Sequence, residues 1–239
     1  MTDTRDVASL TRRLVPPMPS HGIRGWIGPL VVAFIGALVR LWNLGTPHAI
    51  AFDETYYPKD ALSMLRFGYE RAMVDDANEI LLASDGNWRL LDIFKPEPAF
   101  VVHPPLGKWT IAAGEYFFGG TPFGWRIAVC VLGIIAILIT ARIVRRLTRS
   151  DLIGTLAGLF LALDGIHIVM SRTGLLDMVL GFWVLVAFGL LLIDRDRTRK
   201  KMAEFVETNG IEAAATKYGP RFGYRPYRWA AAVALGLAC

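Results

Sequence analysis

Long apolar runs alternate with charged segments along the chain, and the runs have membrane length. Counted along the sequence, they cover about 26–44, 123–143, 151–170 and 175–193, and a fifth begins at Arg228 and is still apolar at Cys239. A helix needs roughly 20 apolar residues to cross a bilayer core. The pattern therefore predicts an all-α integral membrane protein, a multi-span helical bundle. The last run holds too few residues to cross, so the chain is expected to be the N-terminal part of something longer and inactive by itself.

The polar stretches divide by charge. Residues 1–25 form a basic, Pro-containing arm with Arg5, Arg12, Arg13 and Arg24. Residues 47–121 carry six Lys/Arg and eleven Asp/Glu, hence −5, within a chain whose net charge is +5. The basic residues cluster beside the apolar runs, at Arg142, Arg145, Arg146 and Arg149 and again at Arg195, Arg197, Arg199, Lys200 and Lys201. Positive charge flanking spans marks the cytoplasmic side. This predicts a cytoplasmic N-terminus, an external loop over 46–121, a cytoplasmic loop over 194–227 and a multi-pass protein of the plasma membrane. Topology accounts for the basic residues, which argues against nucleic acid as a partner. The first run has no small-residue cleavage site and is too long for a signal-peptide core, so it stays as a helix.

Within the external loop, Glu54 to Phe67 reads as a helix with Asp53 as its N-cap, and residues 75–98 read as loop, with a turn at Asp85-Gly86-Asn87. His103-Pro104-Pro105 opens another helix, because Pro fits a first turn. On it Lys108, Ile111, Ala112 and Glu115 share one face. The cytoplasmic loop reads as helical from Lys201 to Tyr218. Cys130 and Cys239 both lie in apolar runs, and neither a disulfide framework nor a metal site is indicated.

Polar groups that can carry chemistry collect at the predicted outer face. They are Asp53-Glu54 with Tyr56, Tyr57 and Lys59, then His103 with Lys108, then Asp164, His167, Ser171, Arg172 and Asp177. Each has a structural reading too: a cap for Asp53, a carbonyl partner for His103, an ion pair for Arg172 and Asp177. Arg40, near the end of the first run, either snorkels or faces inward towards Asp53 or Glu54. Asp164, His167 and Ser171 share a helix face, but three groups side by side do not arrange as nucleophile, base and orienter. A transporter would spread polar residues through the depth of several spans, and a scaffold would not need an acidic pair and cations together.

Three motifs, in order, carry a resemblance. Phe52-Asp53-Glu54-Thr55-Tyr56-Tyr57, His103-Pro104-Pro105-Leu106-Gly107-Lys108 and Ser171-Arg172-Thr173-Gly174-Leu175-Leu176-Asp177 resemble the protein O-mannosyltransferases, and more narrowly the actinobacterial members. The resemblance implies a GT-C glycosyltransferase architecture with a long first external loop. It implies inverting transfer of mannose from a polyprenyl phosphate donor to Ser/Thr hydroxyls of exported proteins. The lipid-linked donor is a substrate, and no cofactor or metal is implied. By carry-over, Asp53 is the catalytic base and Glu54 the second catalytic carboxylate, orienting neighbouring groups or the acceptor. Arg172, His103, Lys108, Tyr57, Asp177 and Lys59 are the residues expected to bind lipid phosphate and sugar. The nearest alternative is a GT-C transferase with another sugar or acceptor, such as aminoarabinose moved to lipid A; the His103–Lys108 motif speaks for the mannosyl branch.

Overall fold

The computed structural model describes residues 4–18, 22–84, 86–217 and 223–238. Asp85, Tyr218 and Cys239, which enter the readings above, lie outside the described residues. The described residues are helical apart from one small two-stranded sheet. Among them three helices are long and apolar enough to cross a membrane: α2 (Arg24–Leu41), α6 (Pro122–Thr148) and α9 (Leu176–Asn209). A bent pair, α7 (Asp151–Leu163) and α8 (Gly165–Ser171), passes the same measure as one broken span. Their outward faces leave Leu30, Phe34, Leu38, Phe160 and Leu180 more than half exposed, as a lipid-facing bundle requires.

Helix boundaries follow local chemistry. The Thr121 hydroxyl caps α6 by accepting from the Gly124 N–H at 3.1 Å, and Ser150 caps α7 in the same way. At Asp164 the predicted straight span of 151–170 breaks instead. The Asp164 carboxylate accepts from the His167 N–H at 2.7 Å and starts α8 afresh, at 61° to α7. An Asx cap competes with helix continuation, and here it wins. α9 shows the reverse. Its apolar stretch ends at Ile193, but the helix runs on through Asp194–Lys201 and stops only before Gly210 at φ +84°. Arg, Lys and Glu are good helix formers, and nothing before Gly210 ends it. The N-terminal arm contains α1 (Thr4–Leu14), which lies against the far end of α9. After Gly210 come α10 (Ile211–Lys217) and α11 (Pro226–Ala238).

The segment between α2 and α6 is ordered. A 3₁₀ turn (Phe52–Thr55) leads into α3 (Tyr57–Phe67), which ends at Gly68 at φ +82°. Asp53 therefore sits inside the turn, not at a helix N-cap. Residues 75–98 contain α4 (Ala77–Ala83) and a strand, so they are not simple loop. That strand, β2 (Phe94–Pro98), pairs antiparallel with β1 (Arg71–Met73), with Arg71 opposite Pro98 and Met73 opposite Phe94. α5 (Pro105–Phe118) starts where the Pro pair predicts and buries Lys108, Ile111, Ala112 and Glu115. α5 and α6 approach closely, since a β-carbon on Gly114 would collide with the Gly124 carbonyl.

The main core joins this segment to the bundle. Tyr57, Leu62, Leu81, Ile93, Ile111, Trp125, Val129 and Phe182 belong to one buried cluster, drawn from α3, α4, α5, α6, α9 and the residue before β2. Burying such side chains stabilises by about 1.5–3 kcal/mol each. The polar segment is thus fastened to the membrane helices as one body.

Candidate active site

A 3₁₀ turn has three residues per turn, so neighbours point about 120° apart. That geometry splits the carboxylate pair. Glu54 turns inward and is fully buried. Arg126, one turn into α6, meets it with two hydrogen bonds of 2.7 Å, Nε to Oε1 and Nη2 to Oε2. The Gly174 N–H donates to Oε1 at 2.8 Å and the Ala51 N–H to Oε2 at 2.9 Å. Arg126 also donates to the carbonyls of Leu44, Pro47 and Ala49. Glu54 is therefore the anchor that ties the start of the loop, α6 and the turn before α9 together. Its four donors fill its lone-pair sites, so of its two expected roles it holds neighbouring groups and has no site left for the hydroxyl of an acceptor substrate.

Asp53 turns the other way and is half-buried. The Tyr57 hydroxyl donates to its Oδ2 at 3.3 Å, and the Tyr57 ring meets the His103 ring edge-on at 5.7 Å. Burial, followed by the charge of Asp53 and this hydrogen bond, pushes the Tyr57 phenol up to about 12. The phenol therefore keeps its proton and fixes the carboxylate. Just before Asp53, Phe52 has φ +53°, a costly conformation for a bulky residue. Backbone strain of about 1–3 kcal/mol persists only where the surroundings enforce it, and the anchors on Ala51 and Glu54 flank this residue.

Two cavities meet at Asp53. One, of 280 Å³, is lined by Leu106, Gly107, Leu176, Asp177, Val179 and Leu180, from the starts of α5 and α9. The other, of 710 Å³, is lined on the loop side by Tyr56, Lys59, Asp60, Arg71, Asn78 and Phe100, among others. Asp53, Tyr57 and His103 line both. Asp53, Tyr57, His103 and Asp177 are thus brought together as predicted.

The cations are placed differently. Arg172 lines neither cavity. Its Nη1 donates to the carbonyls of Val39, Arg40 and Trp42 at 2.8–2.9 Å, which are the acceptors a helix end leaves unpaired. It caps α2, where a phosphate ligand was expected. Lys108 is 1% exposed, with Nζ 2.7 Å from Glu70 and 3.0 Å from Asp60. It neutralises two buried carboxylates and is not free to grip a phosphate. Burial pushes Asp60 up, opposed by Lys108. Lys59 is buried too, bonded to Asn78, and burial pulls its ammonium down. Lys108→Met should cost about 3–5 kcal/mol, as for breaking a buried ion pair. Thermal unfolding of membranes or micelles would show it, and Glu70→Gln added to Lys108→Met should restore part of the loss.

Arg40 faces inward, as one of its two readings held, but towards neither Asp53 nor Glu54. It donates to the carbonyls of Ala162 at 2.9 Å and Leu161 at 3.2 Å and meets His167 Nδ1 at 2.8 Å. Ser171 bonds the Ile168 carbonyl, so Asp164, His167 and Ser171 form no triad. Burial holds the Glu115 carboxyl well above the usual range; neither of its oxygens has a hydrogen-bond partner among the described residues. Among those residues no three His, Cys, Asp or Glu side chains gather to hold a metal ion.

Arg126, Glu70 and Asp60 were absent from the expected site. Arg126 had a visible signal, an ionisable residue one turn inside an apolar span.

Comparison with known proteins gives a consistent match. The family model described as dolichyl-phosphate-mannose-protein mannosyltransferase covers residues 30–208. The chain is 38% identical over 227 residues to the polyprenol-phosphate-mannose–protein mannosyltransferase of Mycobacterium tuberculosis, covering 92% of this chain and 38% of that protein. Against the protein of the same name from Mycolicibacterium smegmatis the identity is 36% over 232 residues, covering 95% and 40%. For that of Corynebacterium glutamicum it is 36% over 209 residues, covering 87% and 36%. The chain thus spans about two fifths of the length of the curated relatives it matches. No solved structure matches it.

Proposed function

The chain belongs to the dolichyl-phosphate-mannose-protein mannosyltransferase family, and on that premise we propose that its protein moves mannose from a polyprenyl phosphate to a Ser or Thr hydroxyl of an exported protein. The observation that carries this reading is Asp53 at the junction of two cavities. A two-substrate transfer needs two approaches to one base. The cavity walled by Leu106, Leu176 and Leu180 suits a lipid-borne donor, and the loop-side cavity suits a polypeptide.

The chemistry needs little more. The acceptor oxygen attacks the anomeric carbon from the face opposite the phosphate, the bond to phosphate breaks, and its electron pair leaves with the phosphate. That anion is a good leaving group, so no general acid is required, unlike the carboxyl pair of glycosidases. The hydroxyl proton passes to Asp53 as attack develops. Inversion at the sugar follows. His103 and Tyr57, at both cavity walls, orient the donor and the base, and Asp177 lies within reach of the sugar. Glu54 and Arg172 act indirectly, by holding the frame.

The test is transfer of labelled mannose from polyprenyl phosphate mannose to a Ser/Thr peptide by membranes carrying the complete protein. Label released from the peptide by β-elimination supports the proposal, and turnover of an aminoarabinose donor alone would overturn it.

The arginine-rich ends of the apolar runs support a cytoplasmic N-terminus, with Asp53 outside the plasma membrane. Leu90 is 77% exposed, so Leu90→Cys should react with an impermeant maleimide on intact cells. Reaction only after lysis would reverse the orientation.

A further inference from the structure

The end of the bundle remote from Asp53 holds a separate cavity of 340 Å³ between the start of α2, the second half of α6 and the middle of α9. α6 and α9 run side by side in the same direction, since Ala136 and Thr140 share a cavity wall with Gly181 and Leu185, while Arg146 reaches Asp196. Lining residues can therefore be ordered by depth. Leu138, Ile139 and Gly189 form the deep end. Arg142, Ile143 and Ile193 follow one turn on, and Arg145 and Arg146 close the end nearest the surface. At 1.5 Å per residue the α6 lining from Leu138 to Arg146 spans about 12 Å, apolar at one end and cationic from Arg142 on. That is the polarity profile of a phospholipid at its headgroup.

Among the described residues, arginines outnumber carboxylates at this end. Arg146, Arg149 and Arg195 share the single carboxylate of Asp196, and Arg145 holds Asp151. Arg142 lies deeper than these. Its guanidinium rests 3.9 Å over the Trp26 ring and donates to the Gly25 carbonyl at 3.2 Å. Ring and carbonyl fix its plane, and Asp151, the carboxylate that acts on it, already holds Arg145. Positive charge beside a span marks the cytoplasmic side in general. That rule explains Arg146, Arg149 and Arg195 beside the apolar runs. It does not explain an oriented Arg142 set above an apolar pocket.

We propose that this cavity binds one anionic phospholipid, with its phosphate on the Arg142 fork, Arg145 and Arg146 at the rim, and an acyl chain against Leu138, Ile139 and Gly189. A guanidinium fork matches two phosphate oxygens. The site is independent of the transfer reaction proposed above.

Native mass spectrometry of the complete protein, released from mixed phosphatidylglycerol and phosphatidylcholine micelles, tests it. The wild type should retain one phosphatidylglycerol with at least about ten-fold preference, as a charge-assisted bond implies. Arg142→Gln should remove that preference. So should Gly189→Leu, which keeps every charge; a β-carbon there meets only Ile143, at 3.4 Å, and the larger side chain fills the deep end. Arg199→Gln, an exposed charge outside the cavity, should leave retention unchanged. Wild-type retention by both cavity variants would overturn the site. An equal loss in Arg199→Gln would reduce it to diffuse surface charge. Displacement of the lipid by millimolar inorganic phosphate would make it a site for the free anion and overturn the lipid assignment.

Discussion

Asp53→Asn is expected to lower mannose transfer by about 10²–10⁴-fold, the usual contribution of a positioned general base, while the protein still inserts and folds. The expectation rests on how differently the two neighbouring carboxylates are held. Asp53 is half-buried, takes one 3.3 Å bond from Tyr57 and faces both cavities. An amide at that position keeps the shape and can still accept from the phenol. What it cannot do is take the acceptor's proton. Transfer rates at saturating donor and acceptor, with protein amount matched by immunoblot, check this.

Arg126→Ala should destabilise the protein by about 3–5 kcal/mol, as for breaking a buried ion pair. Its removal leaves the Glu54 carboxylate at zero exposure with only two backbone N–H partners. It also orphans the carbonyls of Leu44, Pro47 and Ala49. The turn that carries Asp53 would then lose its tie to α6, and activity would fall with stability. Arg126→Lys keeps a charge but not the fork, and should recover only part of either. Thermal unfolding and proteolysis of the 44–56 segment are the readouts. An unchanged melting profile for Arg126→Ala would remove the anchor from the account.

The sequence pattern carried some of this and not the rest, for physical reasons. Apolar run length located the crossings, and the Pro pair with the 108, 111, 112, 115 spacing located α5 and its buried face. These are local signals. The partners of the charged residues are not local. Glu54 and Arg126 are 72 residues apart, and Lys108 and Glu70 are 38 apart. A lysine read by its charge alone suggests a phosphate ligand, and only the fold reveals that its charge is already spoken for. Arg172 is a second case, because the carbonyls it caps lie about 130 residues earlier. The break at Asp164 was written locally, as Asp-Gly inside an apolar run, but membrane-length counting passes over it. The continuation of α9 past Ile193 was also legible, since hydropathy ends where lipid ends and a helix ends where its propensity does.

On the function proposed, the adjacent carboxylates divide their labour, Asp53 for proton transfer and Glu54 for the frame. Single-turnover mannose transfer and melting temperature, measured on the same preparations of Asp53→Asn and Glu54→Gln, separate the two roles. Asp53→Asn should melt like the wild type, bind donor and fail to transfer. Glu54→Gln should melt lower, with its activity falling only as far as its folded fraction does. An Asp53→Asn protein that transfers mannose at the wild-type rate would contradict the account.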